Sequence, residues 1–333
     1  MSSNVVFHDP VYGEVRFTEP LLIDLYNSRA VQRLADIHQG GITAFIKPER
    51  DTTRLHHSRG VAALLQRLGA DVVEQAAGLI HDVAHTAFSH VVDFVYPNRD
   101  HDYHEVHRDE MILSSDLPEI LSNHGLDWRE VAEADNYTLL EQPLPQLCAD
   151  RLDYFLRDGI MDVGTFSQQD GAALLEHLVV HRGQIVVDSL DAAQWLGERF
   201  IQLDDACWCS VQEVGWYAVM AESLRVALAH EIITKADFEG TDRAVMDALG
   251  KAHDAEIDHW LQWLRRDVDF ARIEGDSADR HDLVALPKVR AVDPPVLLNG
   301  SVIPLSDLDP AFAAQRHRYI AGKEGSWKLR IVA

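Results

Sequence analysis

The apolar residues of this chain recur mostly with a helical period, and the clearest case lies in residues 71–90. Apolar side chains there are spaced four apart, at Val72, Ala76, Ile80 and Ala84. Further valines, alanines and leucines fill most of the remaining circumference, which indicates a helix buried on nearly all sides. We expect the rest of the chain to pack around this segment.

Other segments predict helices that carry polar side chains on one face. A helix that begins near Arg54 would place His57 in line with its apolar stripe. In residues 144–159 a second helix would align three polar side chains, Asp150, Tyr154 and Asp158. Such a face is equally typical of a solvated stripe. Residues 188–236 predict one or two long helices, whose Trp and Ala residues we interpret as core packing.

The remaining segments predict shorter elements. Residues 18–41 indicate one or two helices that end at Gly40, residues 42–53 a loop, and residues 171–187 a helix followed by a strand. Residues 5–17 predict a hairpin, and the tail from residue 286 returns to β-branched strands. We therefore predict a mainly α fold with a small β element from the N- and C-terminal segments. The expected division is a helical core over 1–238 and an appendage over 239–333, packed on that core.

Composition narrows the class of protein. Apolar residues make up 47% of the 333, yet we find no run long enough for a membrane span. The N-terminus has no basic region followed by an apolar stretch, as a secretion signal would have. The three cysteines, Cys148, Cys207 and Cys209, form no paired spacing, so we expect a reducing compartment and a cytoplasmic enzyme without a structural zinc site.

The net charge of the chain indicates which kinds of ligand it can bind. The formal net charge is −24, from 30 basic and 54 acidic residues, which disfavours a protein that grips long nucleic acid by its phosphates. A small anionic substrate remains compatible, because a pocket with a metal ion and a few arginines is locally positive within an acidic surface.

Ionisable residues interrupt the apolar segment at 71–90. His81 and Asp82 stand side by side, and His85 and His90 follow. Burying such groups costs several kcal/mol unless they are paired or bind a metal ion. A bound cation is the simplest explanation, and a hydrogen-bonded core histidine is the alternative.

Three short motifs carry a family resemblance. RLHHSRGV at residues 54–61, GLIHDVAHTAFSH at 78–90 and DRLDYFLRD at 150–158 resemble the motifs of the HD-domain metal-dependent phosphohydrolases. The nearest branch is similar to the deoxynucleoside triphosphate triphosphohydrolases, over about residues 9–236. The resemblance implies an HD-domain helical core that binds one divalent metal ion and hydrolyses phosphate esters.

The resemblance also implies the metal ligands, which are His57, His81, Asp82 and Asp150. Two imidazoles and two carboxylates suit Mn, Fe, Co, Ni or Zn better than Mg, which prefers oxygen ligands. Such an ion would polarise a phosphoryl group and lower the pKa of an attacking water.

The resemblance also implies that His85 and His104 transfer protons and that Glu105 orients His104. On spacing alone, the three histidines at positions 101, 104 and 107 fit an exposed helix face equally well. The resemblance selects His104 among them.

Substrate contacts follow from the resemblance as well. Arg54 and Arg151 would contact phosphate, with an ion pair as the alternative for each, and Arg151 stands where the branch commonly has Lys. The positions that would line the sugar and phosphate pocket are Gln39, His90, Tyr154 and Asp158. For His90, a capping or core role is the alternative.

Two departures concern the substrate and its regulation. Residues 201–224 contain no Lys or Arg, although this branch clamps a triphosphate with basic residues from the helices after the last motif. Ala35 stands where nucleotide-regulated relatives carry Arg, so we do not expect nucleotide activation.

The leading hypothesis is hydrolysis of a phosphate ester of a nucleotide or a similar small phosphorylated metabolite. The alternatives are release of inorganic triphosphate from a deoxynucleoside triphosphate, a di-iron oxygenase on an HD scaffold, and a non-catalytic nucleotide-binding regulator. We expect neither long nucleic acid nor a membrane as a partner. The apolar helices at 188–236 are explained equally by a homo-oligomer interface and by an internal core.

Overall fold

A computed structural model describes residues 4–97, 103–274 and 280–332. Helices dominate it. They are α1 Pro20–Tyr26, α2 Arg29–Arg33, α3 Thr43–Ile46, α4 Arg54–Arg67, α5 Val72–Ile80, α6 Val91–Val95, α7 Tyr103–Val106, α8 Arg108–Leu113, α9 Leu117–Asn123, α10 Trp128–Ala132, α11 Ala149–Arg157, α12 Gln168–Glu176, α13 Leu190–Ala206, α14 Val211–Ala229, α15 Asp242–Ala252, α16 Ala255–Leu261, α17 Leu305–Leu308 and α18 Pro310–Lys323.

The strands are short and form three separate sheets. They are β1 Val5–Asp9, β2 Gly13–Phe17, β3 Leu178–His181, β4 Gln184–Val187, β5 Asp269–Ile273, β6 Leu283–Ala285, β7 Pro295–Leu298, β8 Ser301–Pro304 and β9 Trp327–Val332. The orders are β1-β2, β3-β4-β7-β8 and β5-β9-β6. The predicted mainly α fold with minor β structure is confirmed.

The strand pairing differs from the prediction in two respects. Among the described residues, the N-terminal hairpin pairs only with itself, and the C-terminal strands are divided between a sheet of their own, β5-β9-β6, and the sheet β3-β4-β7-β8. The single strand predicted before residue 187 is a hairpin, β3-β4, which turns at Arg182 and Gly183 with positive φ angles of 52° and 77°. Its strand β4 pairs in parallel with β7, so residues 178–187 share a sheet with the tail.

The central helix is shorter than predicted. Asp71 caps α5 by accepting hydrogen bonds from two backbone N–H groups, and the helix ends at Ile80. The apolar residues up to His90 form buried turns instead, in which Phe88 and Ser89 have φ angles of 60° and 52°. Buried backbone groups need partners, and here some are local and others distant: the Ser89 N–H donates to the carbonyl of Thr86, whereas the Phe88 N–H donates to Asp242 at 2.6 Å.

Smaller differences lie at both ends of the chain. The N-terminal helices end at Arg33 and are followed by a 3₁₀ turn over Leu34–Asp36, before Gly40, and α3 occupies part of the predicted loop. The tail includes α18, which the β-rich pattern around it did not predict. No described helix combines the length and the apolarity that crossing a membrane requires.

Two apolar clusters form the interior. The first joins the N-terminal hairpin, α4, α5, α11 and α13 and includes Val292 and Leu305 from the tail. The second is centred on α14 and includes Val268 and Trp327. The apolar residues of α14 are thus largely accounted for within one chain. The division at residue 238 stays a prediction.

Helices α4 and α11 approach closely at Gly60. A Cβ atom at this position would clash with the guanidinium of Arg157 and the carboxylate of Asp153. These two side chains form a fully buried ion pair, with Nη2 and Oδ1 2.9 Å apart. Gly60 therefore leaves the space in which this ion pair forms.

We predict that Gly60→Ala lowers the free energy of unfolding by about 2–4 kcal/mol, because the added methyl group overpacks the contact and disturbs a buried charge pair. Gly250→Ala is the matched control, since that helical glycine has no atom within 4 Å of the added carbon and should gain about 0.5–1 kcal/mol. Denaturant unfolding measures both. Equal effects of the two substitutions would contradict the close approach.

Candidate active site

Four side chains from three elements converge at the centre of the first cluster. His57 lies on α4, Asp150 lies in the first turn of α11, and His81 and Asp82 follow the end of α5. Asp150 Oδ1 lies 2.8 Å from His57 Nε2 and 3.4 Å from His81 Nε2. Asp82 Oδ1 lies 3.3 Å from His81 Nε2, and Asp82 Oδ2 lies 3.8 Å from His57 Nε2. The structure brings all four predicted ligands into contact, and the donor atoms of His57, His81 and Asp150 all lie within 4.8 Å of one another, a set that does not include Asp82.

The two imidazoles are oriented by bonds on their outer nitrogens. His57 Nδ1 lies 2.8 Å from Asp153 Oδ2, and His81 Nδ1 lies 2.7 Å from the carbonyl oxygen of Gly78. Each ring therefore directs its Nε2 atom toward the two carboxylates. His81 Nε2 is buried and has no hydrogen-bond partner among the residues that the structure describes.

This donor set fits a divalent metal ion. A buried imidazole nitrogen without a partner, a second imidazole held by a carboxylate, and two converging carboxylates are features of mixed N/O metal sites. His57 is only 1% exposed and lies behind the pocket wall, whereas His81, Asp82 and Asp150 line the pocket.

Electrostatics favour positive charge at this point. Burial alone would lower the pKa of His57, but hydrogen bonds with Asp150 and Asp153 raise it to about 10. Burial would raise the pKa of Asp82, yet the charge of Arg54 holds it well below its usual value. The carboxylates are thus ionised and stabilise a cation where the four side chains meet.

A group of three histidines lies beside the four ligands. The rings of His85 and His104 stack with centroids 3.9 Å apart, and His90 lies 4.9 Å from His85. Burial, followed by the charge of Arg54, lowers the pKa of His85 to about 3. Burial also lowers the pKa of His90 and of His104. The three rings are therefore neutral near pH 7 and can accept a proton.

The other residues considered in the segment 101–107 do not join this group of three histidines. The Glu105 carboxylate is 64% exposed and lies 4.0 Å from His104 Nε2, beyond hydrogen-bond distance, so its orienting role stays a prediction. His107 packs against Tyr103, with ring centroids 4.4 Å apart, and does not line the pocket. His101 lies outside the described residues.

Both predicted arginines line the pocket. Arg54 is 3% exposed and bonds to Asp82 Oδ2 at 2.8 Å and to Ser89 Oγ at 3.0 Å. Arg151 donates to the carbonyl of Gln146 at 2.8 Å and lies 3.4 Å from Glu141. Each arginine forms an ion pair: the Arg54–Asp82 pair is buried, whereas Glu141 in the Arg151–Glu141 pair is 32% exposed.

One part of the pocket combines hydrogen-bond acceptors with aromatic rings. Gln39 Oε1 and Asp158 Oδ1 are buried and have no hydrogen-bond partner within the described ranges. Trp208 Nε1 donates to Asp158 Oδ2 at 2.7 Å, and its ring meets Tyr154 edge to face at 4.9 Å. Such a surface suits a ligand with hydroxyl donors and a flat apolar part. Core packing describes Trp216, and Trp208 packs against the first cluster while it also lines the pocket.

The pocket is mixed in charge and has a volume of about 310 Å³. Among the described residues, nine carboxylate side chains line it, against six cationic ones. Ion pairs join Arg50 to Glu213, Arg54 to Asp82, Arg108 to Glu133 and Arg151 to Glu141. Burial and then Asp150 raise the pKa of Glu141 to about 7, and burial and then Asp158 do the same for Asp162. This crowding of negative charge disfavours a highly charged ligand.

Four pocket or supporting residues were missed by the sequence-based prediction, namely Asp153, Trp208, Lys288 and Arg290. Asp153 stands four residues before Arg157, a spacing that signals a helical ion pair. Lys288 and Arg290 are two residues apart in an extended segment, which places them on one side. No motif or spacing near residues 288–290 indicates that they line a pocket whose other residues lie between positions 39 and 217.

Comparisons with known proteins agree with this geometry. The HD domain family matches residues 54–158. The uncharacterized protein YdhJ of Bacillus subtilis is 36% identical and is aligned over 89% of each chain. The metal-dependent phosphohydrolase cns2 of Cordyceps militaris is 31% identical over 96% of this chain and 94% of its own. A hypothetical protein from Aquifex aeolicus shares the fold, with a TM-score of 0.71 at 21% identity, over 98% of this chain and 96% of that one.

We predict that Asp153→Asn lowers the affinity for Mn²⁺ roughly 10–100-fold, because the carboxylate that orients His57 is lost. Isothermal titration calorimetry on the metal-stripped full chain measures this affinity. The control is Asp188→Asn, which removes the carboxylate of the exposed His177–Asp188 pair and should leave Mn²⁺ binding unchanged. Identical affinities of the two variants would show that Asp153 does not support the metal site.

Proposed function

This chain belongs to the HD-domain family of metal-dependent phosphohydrolases, and we propose that it hydrolyses a phosphate ester of a nucleotide or a similar small phosphorylated metabolite. One observation carries the proposal. The inward-facing nitrogens of His57 and His81 meet the carboxylates of Asp82 and Asp150 beside a pocket that also holds arginines.

In this proposal His57, His81, Asp82 and Asp150 hold one divalent transition metal ion, of the Mn, Fe, Co, Ni or Zn type rather than Mg. When bound, such an ion polarises the phosphoryl group and lowers the pKa of the attacking water. The Gly78 carbonyl keeps the donor nitrogen of His81 directed inward, which lowers the cost of assembling the site.

The side chains around the four ligands would act on the phosphate and its protons. Arg54 is held by Asp82 and Ser89, so its guanidinium is already oriented when it stabilises charge on the phosphoryl oxygens. The neutral rings of His85 and His104 would accept or return the proton that moves between water and the leaving oxygen.

The rest of the substrate would occupy the acceptor and aromatic part of the pocket. Gln39 and Asp158 offer buried oxygen acceptors for hydroxyl groups, as a sugar supplies. Tyr154 and Trp208 offer aromatic surface for a flat group such as a base. His90 is held by Asp93 at 2.8 Å and would face the phosphate from the same wall as His85.

The charged residues that line the pocket favour a monophosphate substrate over a triphosphate. Among the described lining residues there are more carboxylates than cations, and the four arginines at positions 50, 54, 108 and 151 are paired with carboxylates. A triphosphate brings about four negative charges, which this lining would repel more strongly than the charge of a monophosphate. We therefore favour a phosphomonoester over deoxynucleoside triphosphate hydrolysis.

The test is product release by metal-stripped protein supplied with Mn, Co, Ni, Fe, Zn or Mg in turn. We expect orthophosphate from nucleoside monophosphates, and an activity loss of at least about a thousandfold in His81→Ala, because the metal would lose a ligand. His177→Ala removes an exposed imidazole and should leave the rate unchanged.

Other products would identify another function. Release of inorganic triphosphate would identify deoxynucleoside triphosphates as the substrate and contradict the charge argument. No phosphate product with any metal, despite tight nucleotide binding, would favour the non-catalytic regulator.

A further inference from the structure

The tail of the chain enters the active-site pocket. Residues 286–294 join β6 to β7 without forming a helix or a strand, and Pro287, Lys288 and Arg290 line the pocket. Val289 lies between the two cations in sequence and packs against the second apolar cluster. Both cationic residues therefore line the pocket that also holds the metal-ligand set.

Contacts from two helices fix this segment. Asp204 of α13 accepts hydrogen bonds from the backbone N–H of Arg290 at 2.9 Å and from the hydroxyl of Tyr319 at 2.8 Å. Arg316 of α18 donates to the carbonyl of Ala291 at 3.0 Å. Helix α18 therefore serves to hold the segment against the pocket, which gives this part of the tail a role in the site.

Lys288 and Arg290 are both half-buried, and both line the pocket. The guanidinium of Arg290 donates to the carbonyl of Lys288 at 3.1 Å and lies 6.0 Å from the ring centre of Trp208. Among the described ranges, no carboxylate oxygen lies within ion-pair distance, 4 Å, of the Arg290 guanidinium, although Asp204 accepts a hydrogen bond from its backbone N–H. Burial and then the charge of Arg290 lower the pKa of Lys288. An anion bound between the two cations would reduce their mutual repulsion.

The same cations line the pocket together with Arg54, His85 and His90. Burial lowers the pKa of His90 most, and the charges of Arg54, Arg290 and Lys288 are among the further causes, in agreement with this shared lining. Arg290 also lies 6.0 Å from the ring centre of Trp208, at the acceptor and aromatic part.

We propose that Lys288 and Arg290 bind the phosphate oxygens of the substrate. The identity of the ligand as a substrate rests on the proposed function. Arg54 and the two tail residues line one pocket, and together they would bind the single phosphate group of a phosphomonoester.

The test measures binding of inorganic phosphate to the full chain by isothermal titration calorimetry in the presence of Mn²⁺. We expect Lys288→Gln to weaken phosphate binding roughly tenfold or more, because a charge-assisted hydrogen bond is lost. Lys288→Arg keeps the charge and should restore most of the affinity. Arg318→Gln removes an exposed positive charge from α18, outside the pocket, and should leave binding unchanged.

Turnover gives a second, independent readout. The KM for a nucleoside monophosphate should rise in Lys288→Gln by a factor similar to the loss of phosphate affinity, and kcat should change less. Arg290→Gln should have an effect of the same direction. Thermal unfolding of each variant, compared with Arg318→Gln, separates loss of binding from loss of folding.

The outcomes distinguish this inference from the proposed function. If Lys288→Gln binds phosphate as tightly as the unmodified chain, or if the unmodified chain binds no phosphate, the inference is wrong, whether or not the chain hydrolyses monophosphates. If phosphate binding depends on Lys288 but no phosphate ester is hydrolysed, the anion site stands and the proposed function fails.

Discussion

The imidazole of His57 is held between two carboxylates, and much of the molecule is arranged to keep it there. Asp150 contacts Nε2 and Asp153 contacts Nδ1, each at 2.8 Å. Asp153 also pairs with Arg157, which lies 3.2 Å from Asp9 at the end of the N-terminal hairpin. These buried charges link α4, α11 and the hairpin. Removing one member would leave the others unpaired in a medium of low dielectric constant, which makes the arrangement strongly interdependent.

Interactions between neighbouring charges also explain how a chain of net charge −24 can bind an anionic substrate. Long-range repulsion between exposed charges is screened by salt, whereas contacts inside a pocket depend on the few nearest groups. Arg54 and the pair Lys288 and Arg290 come from two distant parts of the chain and line one pocket. The nearby carboxylates limit how much negative charge that pocket can accept.

The sequence was most informative where ionisable residues interrupt an apolar segment. His81 and Asp82 lie in an apolar segment, and their burial cost pointed to a cation before any fold was known. The other members of the ligand set, His57 and Asp150, came from family motifs, since a helical face of polar residues is also typical of a solvated surface. The structure brings all four together.

What could not be predicted depends on non-local contacts. The apolar pattern up to His90 does not separate a buried helix from buried turns, and the turns are stabilised by bonds from distant residues, such as Asp242 to the Phe88 N–H. Lys288 and Arg290 carry no local signal either. Their position in the pocket depends on Asp204 and on α18, a helix that the sequence pattern did not reveal.

The most direct measurement is anomalous diffraction from crystals of the full chain grown with Mn²⁺. We predict one manganese peak per chain, contacted by His57 Nε2, His81 Nε2 and one oxygen each from Asp82 and Asp150. A second peak beside His85 and His104 would contradict a single-metal hydrolase and favour a di-iron oxygenase. A sole peak between Glu141, Cys148 and Asp150, the other described group of potential ligands, would contradict the proposed ligand set.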